Sequence, residues 1–154
     1  KMKNIVIIST IAILFSCKTI QEEKPETDFL ENEIISLVYM TPNNKTLKEI
    51  DDFSEYYQNR MKELEPDVLS WKFLRSVNNK IILIERYKNE GAIFNHINNV
   101  SPEGILEKDF GQFMDHFVID SITYYGDLTN EFKSTISEFG MKTIYFENIS
   151  GFSK

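Results

Sequence analysis

The hydrophobic residues of the chain follow two spacings, which predict strands and helices in turn. A nearly continuous apolar run over residues 34–39 is typical of a strand covered on both faces, and Pro42 ends it. Thr46 and Glu49 then have the spacing of a capping box at a helix start, and Pro66 stops that helix. Between them, apolar residues recur every three or four positions and form one stripe: Leu47, Ile50, Phe53, Tyr57, Met61 and Leu64.

The middle of the chain has the pattern of a β-hairpin. Residues 68–75 and 80–87 read as two strands, and the segment 76–79 between them ends in two asparagines, which tolerate the positive φ of a tight turn. Side chains alternate between the two faces of a strand. Glu85 and Tyr87 therefore share one face with Ile81 and Leu83.

Further helices and strands are predicted in the second half. One helix begins at Asn89 or Glu90 and runs to about Asn98, with its inward positions at Ala92, Ile93, His96 and Ile97. Ser101-Pro102 predicts the start of another helix, with serine as N-cap and proline at the first helical position. After these come a strand over 118–125, a helix that Gly140 closes, and a short strand over 143–146.

This order of elements predicts an α+β fold. The sequence β-α-β-β-α-β is that of a ferredoxin-like sandwich, and a C-terminal helix and strand follow it. No internal repeat or linker divides the chain, so residues 32–126 are expected to form the ferredoxin-like domain and residues 127–154 its extension.

Composition and charge exclude several functional classes. The chain has 154 residues, with 17 Lys and Arg against 24 Asp and Glu, for a net charge of −7. An acidic chain of this kind does not have the basic surface that nucleic acid binding needs. A single cysteine excludes a disulfide within the chain, and the two histidines have no metal-ligand spacing, so no metal site is expected.

The N-terminus has the features of a secretion signal. Lys1 and Lys3 precede an apolar stretch over 5–15, which is shorter than the roughly 20 residues that span a bilayer. The stretch ends in Leu14-Phe15-Ser16-Cys17, which resembles the lipobox of bacterial lipoproteins. The resemblance implies a signal peptide over 1–16, lipidation of Cys17, a polar tether over 17–31 and a cell-envelope location. The membrane is then contacted through the lipid anchor only. An ordinary signal peptide or a buried free cysteine is the alternative.

Three segments in the middle of the chain resemble the antibiotic biosynthesis monooxygenase family. They are Glu65-Pro66-Asp67-Val68-Leu69-Ser70-Trp71, then Ile84-Glu85-Arg86-Tyr87, then Ala92 followed by His96 on the next helix. The resemblance covers roughly residues 33–154. Asp67 stands where the family pattern has glycine, and the first strand lacks the asparagine found in several oxygenases of this superfamily.

The resemblance implies a homodimer, in which two sheets form an α+β barrel, and a pocket between each sheet and its helices. Several family members oxygenate aromatic polyketides or quinols there without metal, flavin or other cofactor. For this chain it implies a small aromatic or apolar ligand and catalytic roles for His96, Tyr87 and Glu85. His96 is the natural proton acceptor, because its ordinary pKa is near 6.5. The aromatic residues assigned to substrate binding are Trp71, Phe94 and Phe113.

Each assignment has an alternative. His96 and Glu85 can be hydrogen-bonded structural groups, Trp71 can belong to the core or the dimer interface, and His116 reads as an exposed loop residue. Haem-degrading relatives suggest a second function, with His96 as the iron ligand. Those enzymes also use an asparagine and a tryptophan where this chain offers Ser36 and Tyr87. A non-catalytic binding or scaffold protein is the third reading.

Overall fold

A computed structural model describes residues 32–151. The predicted signal peptide, Cys17 and the tether lie outside the described residues. Within them, five strands and four helices follow one another along the chain: β1 (Ile34–Pro42), α1 (Leu47–Leu64), β2 (Val68–Arg75), β3 (Ile81–Tyr87), α2 (Glu90–Val100), α3 (Glu107–His116), β4 (Phe117–Tyr125), α4 (Asn130–Glu138) and β5 (Thr143–Phe146).

The strands form one mixed sheet in the order β2-β3-β1-β4-β5. The first four strands pair antiparallel, as in a ferredoxin-like sandwich, and β5 joins the outer edge of β4 in parallel. A parallel neighbour needs a crossover connection, and α4 provides it. The predicted ferredoxin-like α+β fold with an added helix and strand is therefore confirmed.

Local sequence signals account for most element boundaries. The Thr46 hydroxyl accepts from the backbone N–H of Glu49, whose carboxylate in turn accepts from the backbone N–H of Thr46, so the predicted capping box is present. Asn79 has a φ of 62° in the hairpin turn, and Gly140 has a φ of 65° just after α4. Both conformations were expected from residue type, since asparagine and glycine tolerate positive φ best.

The prediction of a helix start at Ser101 is wrong. Ser101 ends α2, because its hydroxyl and its backbone N–H both donate to the carbonyl of Ile97. Residues 101–106 form turns, with Glu103 at a φ of 70°, and α3 begins only at Glu107. Serine can cap either helix end, and here the bond back to the preceding turn prevails.

The two faces of the sheet differ in burial. Along β1 and β3, residues alternate between fully buried positions and half-buried ones. The buried face packs with residues of all four helices in a single core. The opposite face carries Ile35, Leu37, Ile82 and Ile84, which are only half-buried within residues 32–151. The strand pattern predicted that both faces of the sheet are packed against other parts of the protein. Within the described residues, the helices pack against one face only.

No helix among residues 32–151 is long and apolar enough to cross a membrane.

Candidate functional site

A cavity of about 500 Å³ lies between the sheet and the helices. Its walls come from the four strands β1–β4 on one side and from residues of all four helices on the other, and most of the side chains are apolar or aromatic. Its aromatic members are Tyr57, Trp71, Tyr87, Phe110, Phe113, Tyr124 and Phe139. A volume of this size and character suits a small aromatic molecule.

The third strand places a carboxyl group in this apolar wall. Glu85 and Tyr87 point to the same face of β3, and the Tyr87 hydroxyl donates to a Glu85 carboxylate oxygen at 3.2 Å. Across the neighbouring strands, Ser36 of β1 and Trp71 of β2 both stand opposite Glu85. Ser36 is fully buried, and the Trp71 indole N–H is buried and has no hydrogen-bond partner among the described residues.

Burial changes the pKa values of Glu85 and Tyr87. It raises the pKa of the Glu85 carboxyl, and this effect exceeds the opposing effects of nearby His96, of the Ser36 hydroxyl and of the Tyr87 hydroxyl. Burial also raises the pKa of Tyr87 well above its ordinary value, and the Glu85 charge adds to the increase. Tyr87 therefore stays protonated and donates to Glu85, so towards a ligand it can only accept a hydrogen bond.

The second helix brings His96 to the same part of the wall. Its ring lies 5.4 Å from the Trp71 ring and 5.9 Å from the Tyr87 ring, measured between centroids. His96 Nδ1 is 3.1 Å from a carboxylate oxygen of Glu65, and both side chains are nearly buried. A carboxylate oxygen can accept a hydrogen bond from the Nδ1–H of a neutral imidazole. In that arrangement Nε2 is the basic nitrogen of the ring.

Glu65 was quoted from the sequence only as the first residue of a family-like segment, and no role in the site was predicted for it. It follows the last residue of α1, immediately before Pro66, and its side chain is only 4% exposed. Its partner lies 31 residues away in the chain, so no spacing in the sequence connects the two. The available signal was an acidic residue at the end of an amphipathic helix, beside the stripe that the core buries.

The predicted site residues do not all meet. His96, Tyr87, Glu85, Trp71 and Phe113 line the cavity together. Phe94 is not among the lining residues; its ring packs edge-on against Phe132 of α4, with centroids 5.4 Å apart. The structure therefore gives Phe94 a packing contact rather than a place in the site.

His116 lies outside the cavity as well. It is the last residue of α3, not a loop residue, and its ring stacks on Phe53 with centroids 4.0 Å apart. His116 Nδ1 is 2.7 Å from the carbonyl oxygen of Gln112. Its environment is that of a half-buried packing residue at a helix end.

The charges of the wall limit what the cavity can hold. Glu85 and Glu107 contribute carboxyl groups, and no lysine or arginine is among the described residues that line it. Residues 32–151 also contain no group of three His, Cys, Asp or Glu side chains arranged to hold a metal ion. The wall thus favours a neutral ligand over an anion, because none of its described residues is a lysine or arginine that could pair with a negative charge.

Comparison with known proteins supports the fold. No protein-family model matches the sequence, and no curated protein matches it. Among solved structures, MupZ from Pseudomonas fluorescens is similar with a TM-score of 0.62 at 17% identity, over 80% of this chain and 95% of MupZ. SnoaB from Streptomyces nogalater, a cofactor-independent oxygenase, is similar with a TM-score of 0.52 at 10% identity, over 64% of this chain and 96% of SnoaB.

A proposed antibiotic biosynthesis monooxygenase from Bacteroides thetaiotaomicron is also similar, with a TM-score of 0.48 at 22% identity, over 59% of this chain and 85% of that protein. At these identities a structural likeness describes the fold and leaves the activity open. The chain thus has the ferredoxin-like α+β fold that MupZ and SnoaB share.

Proposed function

We propose that the protein binds a small, neutral aromatic molecule in the cavity and oxygenates it without a cofactor. The observation that carries this is a buried carboxyl group and a carboxylate-bound histidine in one wall of a cavity that is otherwise apolar. SnoaB, with the same fold, is a cofactor-independent oxygenase. A phenol, a hydroquinone or an anthrone fits the neutral, aromatic character of the wall.

The chemistry needs a base, an apolar site and dioxygen. His96 Nε2 takes the proton from the acidic hydroxyl of the substrate, in its enol form for an anthrone. The resulting anion gives one electron to O₂, and the radical pair combines to form a carbon–oxygen bond. The hydroperoxide then loses water and leaves a quinone. One substrate and one O₂ give one quinone and one water, and no outside reductant is consumed.

Glu85 and Trp71 would orient the substrate. In its protonated form Glu85 can donate to a substrate oxygen, and burial favours that form. The Trp71 ring, which lines the cavity, can pack against the aromatic ring of the substrate. The apolar surroundings of Glu85 strengthen its hydrogen bond, because water does not compete there.

Oxygen uptake tests the proposal. Purified protein in chelator-treated buffer is mixed with anthrone, and O₂ consumption and anthraquinone formation are followed together. We expect one O₂ consumed for each anthraquinone formed, above the rate without protein. Saturable binding of anthrone without catalysed uptake would instead support the binding-protein reading, for which the apolar cavity alone is sufficient.

The cavity does not fit haem. His96 Nε2 could ligate iron, but haem carries two propionates, and the described residues that line the cavity offer no lysine or arginine to pair with them. We therefore expect no Soret band from a histidine-ligated haem when haemin is added.

We further propose that two copies of the chain pair through the half-buried sheet face. Ile35, Leu37, Ile82 and Ile84 form an apolar strip at its centre, and Leu74 on the adjoining β2 is 48% exposed. A contiguous apolar face of this kind is typical of a protein–protein interface. A second copy would supply the cover that the strand pattern predicted.

Lipidation of Cys17, and with it a place in the bacterial cell envelope, is also a proposal. The supporting observation is the lipobox-like Leu14-Phe15-Ser16-Cys17 after an apolar stretch. Metabolic labelling with a fatty acid tests it in cells that express the full chain. We expect label on the wild type and none on Cys17→Ser, whereas equal labelling of both would refute the proposal.

A further inference from the structure

A second, smaller recess lies next to the cavity on the other side of the His96–Glu65 pair. Its volume is about 190 Å³, and its walls come from the end of α1 and the polar face of α2. The residues that line it are Leu64, Glu65, Pro66, Asp67, Asn95, Asn98 and Asn99. Unlike the main cavity, this recess is polar, and such a site can hold water.

Glu65 and His96 form a bridge between the two spaces. His96 lines the main cavity and Glu65 lines the recess, and their polar atoms are 3.1 Å apart. His96 is 13% exposed in its side chain and Glu65 is 4% exposed. The pair is thus largely buried, with His96 at the main cavity and Glu65 at the recess.

We infer that Glu65 carries protons between His96 and the water of the recess. This inference rests on the proposed function only for its use in turnover. It gives His96 a route to solvent that does not pass through the main cavity. The route therefore stays open while an aromatic ligand fills that cavity and excludes water from it.

The proton balance is simple. His96 Nε2 accepts a proton from the substrate while Nδ1–H passes its proton to Glu65, so the imidazole ends neutral with the proton on the other nitrogen. Glu65 then releases its proton to water in the recess and becomes a carboxylate again. After O₂ has added, one proton returns by the same route and converts the peroxide anion into the hydroperoxide, which then loses water, so the full cycle releases no proton.

The surrounding charges are compatible with this path. The titratable groups that face His96 are Glu65 at the end of α1 and Glu85 and Tyr87 on β3. At the recess, Asp67 pairs with Lys88 at 3.6 Å, and the three asparagines are uncharged. Glu65 is thus the acidic group placed between His96 and the polar recess.

Proton exchange at His96 tests the route without any turnover. Nuclear magnetic resonance measures how fast the His96 Nδ1 proton exchanges with water in the full chain. Glu65→Gln keeps a side-chain oxygen to accept from Nδ1 but cannot take up the proton, so we expect exchange to slow by roughly a hundredfold. Glu63→Gln is the matched control on the same helix, where Glu63 is exposed and pairs with Arg60, and should leave exchange unchanged.

The recess itself is tested separately. Asn98→Leu places an apolar side chain at its wall without touching the Glu65–His96 contact, and we expect slower exchange there too. If Glu65→Gln exchanges as fast as the wild type, Glu65 is not the carrier and the inference is wrong. If Glu65→Gln is slow but Asn98→Leu is not, the proton leaves by another path and the inference is equally wrong.

Failure of the oxygenase proposal would look different. In that case the wild type consumes no O₂ with anthrone, yet the His96 Nδ1 proton still exchanges faster in the wild type than in Asn98→Leu or Glu65→Gln. If the oxygenase is active, Glu65→Gln should lower kcat while KM stays near the wild-type value. Glu65→Asp, which can still carry a proton, should recover part of kcat.

Discussion

Glu85 is the residue whose surroundings differ most from those its charge prefers. It is 7% exposed, lies among aromatic rings, and has the Tyr87 hydroxyl as a hydrogen-bond donor. An isolated carboxylate in such a place is costly, and a group of this kind responds by taking up a proton at higher pH. This behaviour makes Glu85 a functional candidate, because carboxyl groups with shifted pKa values concentrate at active sites.

The raised pKa of Glu85 predicts how stability depends on pH. In the unfolded chain this carboxyl ionises near its ordinary pKa of 4.5, while in the folded protein it keeps its proton to higher pH. The folded state thus binds more protons, so this group takes stability away as the pH rises above 4.5. Glu85→Gln removes that cost, and Gln can still accept from Tyr87.

We therefore expect the free energy of unfolding of Glu85→Gln to increase relative to that of the wild type as the pH is raised from about 4 to about 8. Urea unfolding of both proteins at each pH measures the difference in free energy. Glu63→Gln, at an exposed position of α1, is the control and should show no such trend. A constant difference between Glu85→Gln and the wild type at both values would contradict the raised pKa.

The connection between α2 and α3 determines how the cavity is covered. Residues 101–106 turn the chain so that α3 can bring Phe110 and Phe113 over the sheet. Gly104 sits within this turn, and a Cβ there would overlap the carbonyl oxygens of Asn98 and Asn99. At Gly111, on α3 itself, an added Cβ would have open space around it. An alanine would therefore clash at position 104 but fit at position 111.

Alanine at each glycine gives a matched pair of variants. We expect Gly104→Ala to lose roughly 1–3 kcal/mol of unfolding free energy, because backbone must shift to admit the methyl group. Gly111→Ala should gain about 0.5–1 kcal/mol, because alanine favours the helix. Chemical denaturation measures both. Equal effects of the two substitutions would mean that the turn at 101–106 is not packed as described.

Elements with local signals were predictable from sequence, and those set by distant contacts were not. The capping box at Thr46, the turn at Asn79 and the stop at Gly140 depend on residues within a few positions of each other. Ser101 carries an equally good local signal for a helix start, yet its hydroxyl bonds back to Ile97. That bond spans only four residues, so two local signals compete at Ser101 and the sequence does not say which of them prevails.

The candidate site shows the same division. The alternation along β3 put Glu85 and Tyr87 on one face and the helical spacing put His96 inward, but only the family resemblance put the three beside one pocket, whose wall they line in the structure. Glu65 was missed because its partner is distant in the chain. Phe94 was misplaced because a half-buried position on a helix does not say which neighbour covers it, and here that neighbour is Phe132.

At the scale of the whole molecule, one face of the sheet forms a wall of the cavity, and the other is the face on which we propose that a second copy packs. Leu37 lies at the centre of the outer face, on the strand that pairs with both β3 and β4. A lysine there would place a charge inside the proposed dimer interface, where it has no partner. We expect Leu37→Lys to be monomeric in light scattering, with wild-type circular dichroism.

Val77→Lys is the matched control for the dimer. Val77 is fully exposed in the hairpin turn, away from the outer face, so a lysine there should leave the dimer intact. A wild-type protein that is monomeric at the same concentration would overturn the dimer proposal. So would a Leu37→Lys protein that still dimerises.

The two histidines permit the most direct test of the proposed activity. His96 lines the cavity and bonds Glu65, whereas His116 stacks on Phe53 outside it. The measurement is kcat for anthrone oxygenation, by O₂ uptake in chelator-treated buffer, for the wild type, His96→Gln and His116→Gln. We expect His96→Gln to lose on the order of a hundredfold in kcat, and His116→Gln to match the wild type. Equal rates for all three proteins, or no rate above the uncatalysed reaction for any of them, would contradict an oxygenase built on His96.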